Sequence, residues 1–116
     1  MVKIEAVYEG QLHCRLTHGP SGQTLVTDAP ADHQGKGEAF SPTDLVGAAL
    51  GACILTVMGI VAQRRQLDLT GTTARVTMVM AEVRVWRIWR LTVTVTFPRA
   101  FAEDERIRIP AVVGQT

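Results

Sequence analysis

Two kinds of hydrophobic spacing divide this chain of 116 residues. Over residues 2–8, Val2, Ile4 and Ala6 alternate with Lys3 and Glu5, the period of a strand buried on one face. Glu9-Gly10 predicts a turn into residues 11–17, where Leu12, Cys14 and Leu16 share one face and His13, Arg15 and Thr17 the other. The run His18-Gly-Pro-Ser-Gly22 is a second turn by composition, and residues 23–27 return as a third strand of an antiparallel meander. Residues 28–40 form a polar loop, of a length that often carries function. Further on, Ala74, Val76, Met78 and Met80 alternate over residues 72–80. Leu91, Val93, Val95 and Phe97 do so against Thr92, Thr94 and Thr96 over residues 88–97. Between these two strands, residues 81–90 contain no turn-forming Gly, Pro, Asn or Asp. Residues 100–108 are polar enough for a short helix that Pro110 would stop.

One stretch breaks the period of two. Residues 41–65 open with Ser-Pro-Thr-Asp: an N-cap serine, a proline at the first helical position and an acid three residues after the cap. Phe40 stands where a hydrophobic staple would, and Arg64 and Arg65 suit the negative end of a helix. From Leu45 to Ala62 no residue is charged. Three strands, a long helix, two strands and a helical stub predict an α+β fold, with an antiparallel sheet packed on a long central helix.

Composition narrows the classes. Some 47% of the residues are hydrophobic, so the chain is globular, and its length suits a single domain. A net charge of +1 argues against a nucleic-acid binder and a membrane-surface protein. Two cysteines are too few for a disulfide scaffold and suggest a reducing compartment. The N-terminus lacks the pattern of a secretory leader, which makes the cytoplasm the expected location. The 18 uncharged residues reach the lower limit for a membrane span, but seven of them are Gly or Ala, which argues against one. A helix apolar all round must then be buried all round, and so short a chain can hardly surround one that long. We therefore expect a homodimer through the 41–65 helix, with Gly47, Ala48, Gly51 and Ala52 permitting close approach of a second backbone.

Candidate chemistry begins with Cys53. A nucleophilic cysteine needs a cation, a metal or a helix N-terminus to form its thiolate, and mid-helix neighbours such as Leu50, Ala52 and Ile54 supply none of these. On composition Cys53 reads as a buried structural residue unless a cation such as Arg15 arrives from elsewhere. Cys14 shares a face with Leu12 and Leu16 and reads as core; a Cys14–Cys53 disulfide is open geometrically but not required. His13, His18 and His33, with Asp28 and Asp32, fit no zinc spacing and read as solvated, so no metal is expected. Arg84, Trp86, Arg87, Trp89 and Arg90 interleave bases with aromatics as nucleic-acid grooves do, but at this net charge read as a solvated strand edge.

The run DAPADHQGKGEAFSPTDLVGAALGAC resembles the OsmC/Ohr superfamily, particularly its small OsmC-like members. The shared features are the Ser-Pro-x-Asp-Leu helix start, the small residues after it and a cysteine within a long apolar helix. The resemblance is good over residues 2–80, looser to Phe97, and ends at about Arg106. It implies an intertwined homodimer with two long helices crossing at its centre. It also implies a thiol-dependent peroxidase for small organic hydroperoxides that uses no cofactor, metal or haem and is recharged by an external thiol or dithiol. Cys53 matches the attacking cysteine. The family's site adds an arginine from the N-terminal sheet, for which Arg15 is the nearest candidate, and a glutamate at the helix start. Thr43 stands at the glutamate's position, with Asp44 beside it. The family continues through a second helix, a segment bearing a resolving cysteine and a final strand; IRIPAVVGQT matches none of these and suggests a truncated or divergent ending. The leading expectation is therefore a peroxidase with Cys53 as nucleophile. The alternative is a catalytically impaired dimer with a structural or ligand-binding role.

Overall fold

The structure is a computed structural model and describes residues 1–31, 34–81 and 87–109. Its elements run β1 (Ile4–Gly10), β2 (His13–His18), β3 (Thr24–Asp28), α1 (Pro42–Arg64), β4 (Thr73–Ala81), β5 (Arg87–Thr96) and α2 (Glu103–Arg106). This is the expected α+β class, with antiparallel sheets and one long helix. The strands order as β1-β2-β3 in one sheet and β4-β5 in another. By contact the chain divides into two compact units, Met1–Val46 and Gly47–Thr116.

In the first unit β1 and β2 pair in register from Ile4↔His18 to Gly10↔His13, and β2 and β3 from Thr17↔Thr24 to His13↔Asp28. The first turn falls at Gln11–Leu12, not Glu9–Gly10, because Glu9 and Gly10 continue the strand. Gln11 and Leu12 both take left-handed backbone conformations (φ 54° and 64°), which a residue as bulky as leucine adopts at a cost. Two hydrogen bonds hold Leu12 there: its N–H donates to the Tyr8 hydroxyl at 3.3 Å, and its carbonyl accepts the Ala29 N–H at 3.2 Å. The loop from Asp28 to Phe40 is similarly closed at its ends, since Asp28 N–H donates to the Phe40 carbonyl at 3.1 Å.

Helix α1 starts as its sequence dictates. Ser41 Oγ accepts the Asp44 N–H at 3.1 Å while Asp44 Oδ2 accepts the Ser41 N–H at 2.9 Å, a reciprocal capping box. Phe40 is 55% exposed, so it contributes to the helix start through its carbonyl more than as an apolar staple. At the other end Gln66, at φ 57°, closes a Schellman motif in which Leu67 N–H reaches the Ala62 carbonyl at 2.9 Å and Gln66 N–H reaches Gln63 at 3.2 Å.

In the second unit α1 lies against β4. A Cβ added at Gly47 would stand 2.8 Å from Met78 Sδ, and one at Gly51 would stand 3.0 Å from Val76 Cγ2. Two of the four small residues expected to admit a second copy's backbone, Gly47 and Gly51, thus receive side chains of the chain's own strand, while Ala48 and Ala52 are exposed. Val76, Met78 and Met80 alternate with exposed Arg75, Thr77 and Val79, and β5 pairs with β4 at Val76↔Val93 and Met78↔Leu91. The connection at 82–86, which is part of the stretch 81–90 without turn-forming residues and holds two of the five interleaved basic and aromatic residues, lies outside the described residues. Past β5, Phe97 and Phe101 meet edge to face at 5.3 Å, and Phe101 joins Ala62 and Leu67 in the buried cluster. Arg99 stacks on Phe101 at 4.4 Å and grips Glu105 through both guanidinium nitrogens at 2.9 and 3.1 Å. Arg108 donates to the carbonyls of Arg65 and Gln66 at the end of α1. The expected stub helix is therefore a docked segment.

The Arg99 guanidinium, with the Ala102 N–H, holds the Glu105 carboxyl down at about 2. A carboxyl depressed on folding stabilises above its unfolded value, about 4.3, and loses that contribution as pH falls toward the folded value. The docking of residues 99–108 should accordingly weaken between about pH 4.3 and 2. An acid titration followed by amide exchange should show this in the wild type, and Glu105→Gln should remove the pH dependence.

Candidate functional site

Helical geometry decides where Cys53 points. At about 100° per residue, Gly47, Gly51, Met58 and Ala62 cluster on one side of α1, and Cys53 lies on the opposite side. Those four are the buried residues of the helix, and Cys53 is exposed. The composition-based reading of a buried structural cysteine is corrected for this reason: only one face of the apolar helix is covered by β4. Along the other face Val46 (51% exposed), Cys53, Val57 and Ile60 (47% each) form a stripe with Cys53 at its middle. These side chains form a contiguous exposed apolar patch on the helix. By length and hydropathy the helix would also suffice to cross a membrane.

The other candidates all lie in the first unit. Thr43 and Asp44 are joined through the cap: Thr43 Oγ1 and Ser41 Oγ are 3.0 Å apart, and the Asp44 carboxylate is engaged by the Ser41 N–H. Both stand nine or ten residues before Cys53 on α1. Arg15 sits on β2, exposed, with its Nε donating to Glu9 Oε2 at 3.0 Å. Cys14, on the opposite face of that strand, is half-buried, and both cysteines are free thiols.

Sequence reasoning missed the role of His13 and Asp28. Asp28 is wholly buried, with its Oδ2 accepting the Lys36 N–H at 3.2 Å and the Glu38 N–H at 3.1 Å, and its Oδ1 3.3 Å from His13 Nε2. The loop that feeds α1 is wound about this one carboxylate. Gly35 belongs to the same winding: a Cβ there would stand 1.8 Å from the Ala29 carbonyl oxygen. His18, for its part, bonds Ser21 through Nδ1. His13 and His18 are thus structural participants, not solvated side chains, while Asp32 and His33 lie outside the described residues. The only hint in the sequence was an aspartate closing a strand directly before a loop rich in glycine. Among the described residues no three His, Cys, Asp or Glu side chains group as a metal site would require.

Comparison with known proteins bears on the family and the fold. The family model for OsmC-like protein matches residues 35–111. The chain belongs to the OsmC-like protein family. A crystal structure of an osmotic stress induced and detoxification response protein from Psychrobacter arcticus 273-4 is 40% identical, with a TM-score of 0.83, over 93% of this chain and 79% of that one. Two organic hydroperoxide resistance proteins share the fold at low identity. That from Vibrio cholerae is 16% identical (TM-score 0.67; 93% of this chain, 72% of that). That from Legionella pneumophila is 15% identical (TM-score 0.64; 93% and 78%). No curated protein matches the chain.

The Glu38 N–H, with His13 and the Lys36 N–H, holds the Asp28 carboxyl below its usual range against the opposing effect of burial. A carboxyl lowered by folding stabilises above its unfolded pKa, about 3.9, and stops doing so as pH falls through the lower folded value. The protection factors of the Lys36 and Glu38 amides should be high near neutrality and fall in acid below about pH 4. In Asp28→Ala both amides should lack that protection at every pH; protection factors equal to wild type would refute the assignment.

Proposed function

We propose that this OsmC-like protein is a thiol-dependent peroxidase that reduces small organic hydroperoxides, with Cys53 as the attacking thiol. The observation that carries the reading is the place of Cys53: the family's helix cysteine, exposed at the middle of the open apolar face of α1. An apolar surround suits a hydrocarbon-bearing peroxide better than hydrogen peroxide. In the reaction the Cys53 thiolate attacks the distal peroxide oxygen; an S–O bond forms, the O–O bond breaks, and the alkoxide leaves as the alcohol after taking a proton. The sulfur is oxidised to a sulfenic acid. An external thiol then condenses with it, releasing water and leaving a mixed disulfide, and a second thiol of the reductant restores Cys53. A cycle recharged by an external thiol suits a reducing compartment such as the cytoplasm.

The same face supports a homodimer. Val46, Val57 and Ile60 leave an apolar stripe that a second copy of α1 would cover, and such cover would remove Cys53 from bulk water. Arg15, Asp44 and Thr43 remain the proposed polar members of the site, for activating the thiolate and orienting the peroxide. A second reading, a non-catalytic dimer, draws on a specific feature: Thr43 replaces the family's glutamate, and Arg15 and Asp44 are already bound to Glu9 and Ser41.

Consumption of cumene hydroperoxide with dithiothreitol separates the two. Wild type should turn over and Cys53→Ser should fall to background, while Cys14→Ser keeps most of the rate; background rates for wild type would establish the second reading. Sedimentation should give a dimer, and Val57→Glu a monomer. A monomeric wild type would contradict the proposed interface.

A further inference from the structure

A cavity of about 620 Å³ opens in the second unit between the C-terminal half of α1 and the connection to β4. That volume lies in the range of small-molecule sites. Its apolar wall is Leu55, Met58, Ala62, Leu67 and Leu69; its polar rim is Gln63, Gln66, Asp68, Thr70 and Thr72. The helical rotation that carries Cys53 to the open face places Leu55, Gly59 and Ala62 roughly 180–240° away, so this is a separate place from the thiol.

Gly59 is the informative residue. Glycine inside a helix destabilises it relative to alanine. Gly47 and Gly51 have a reason to be there, the closeness of β4; Gly59 has none, since a Cβ added to it would meet nothing within 4 Å. Its missing side chain leaves volume in the cavity wall. The rim adds hydrogen-bonding capacity in excess of what the fold uses. Thr72 Oγ1 is buried with no hydrogen-bond partner among the described residues. Asp68 Oδ1 accepts the Thr70 N–H at 2.9 Å, and the Thr70 hydroxyl, together with that N–H, lowers its pKa, so the rim presents an ionised carboxylate. Arg99 lies near enough to Asp68 to offset part of that charge. An apolar floor with amides, hydroxyls and one partly compensated carboxylate selects a neutral molecule: a hydrocarbon body with a hydroxyl that can both donate and accept.

We propose that this cavity is a non-catalytic binding site for small hydrophobic alcohols, with the hydrocarbon on Leu55, Met58, Leu67 and Leu69 and the hydroxyl at the Asp68–Thr72 rim. The test is a titration of ¹⁵N-labelled Cys53→Ser protein with 2-phenyl-2-propanol, read by amide shifts. Omitting the thiol makes the result independent of whether Cys53 is catalytic. Saturable shifts centred on Gly59 and residues 67–72 are expected. Gly59→Leu, which fills the cavity, should abolish them while raising the melting temperature, so loss of binding is not loss of fold. Asp68→Asn should weaken binding several-fold. Shifts that stay linear with concentration, centre elsewhere, or persist in Gly59→Leu would overturn the proposal.

Discussion

The closeness of α1 to β4 governs the second unit and the placement of its cysteine. A helix of 23 residues whose charges, Asp44 and Arg64, stand only in its end turns has no intrinsic inside and outside. Two glycines supply one: at Gly47 and Gly51 the absence of Cβ lets Val76 and Met78 approach the helix backbone, which fixes the rotation of α1 about its axis. Everything else on the helix follows from that rotation. Met58 and Ala62 turn inward with the glycines, and Val46, Cys53, Val57 and Ile60 turn out. Burial of methyl and methylene groups by β4 favours this rotation over its alternatives at about 0.8 kcal/mol per buried CH₂.

The N-terminal unit is organised by a different force. There the constraint is the need of buried polar groups for partners. A carboxylate removed from water needs partners, and Asp28 draws two loop amides onto Oδ2 and sets His13 Nε2 3.3 Å from Oδ1 as an ion-pair neighbour. The loop thereby delivers the chain to Ser41, whose reciprocal bonds with Asp44 begin the helix. A local electrostatic centre sets where α1 starts, and a steric one sets how it is turned.

Those two constraints also explain what could be read from the sequence. Alternation of apolar and polar residues gave four of the strands, turn composition the third, and Ser-Pro-x-Asp the helix start to within a residue, because all depend on neighbours in the chain. The turn at Gln11–Leu12 was not legible, since the Tyr8 hydroxyl and Ala29 amide that hold it are non-local or side-chain effects. Nor was the Asp28 centre, whose donors stand eight and ten residues away. Cys53 was visible as a residue of interest, but its apolar neighbours pointed to burial. Spacing could not say which half of an all-apolar helix β4 would cover. Family resemblance identified the cysteine, and the orientation came only with the glycine contacts.

The account stands on Cys53 being the reactive sulfur, and trapping of its oxidised form tests that directly. Protein exposed to about one equivalent of cumene hydroperoxide in the presence of dimedone, then digested and analysed by mass spectrometry, should carry the sulfenic-acid adduct on the Cys53 peptide and little on the Cys14 peptide. Adduct on Cys14 alone, or on neither cysteine, would contradict it.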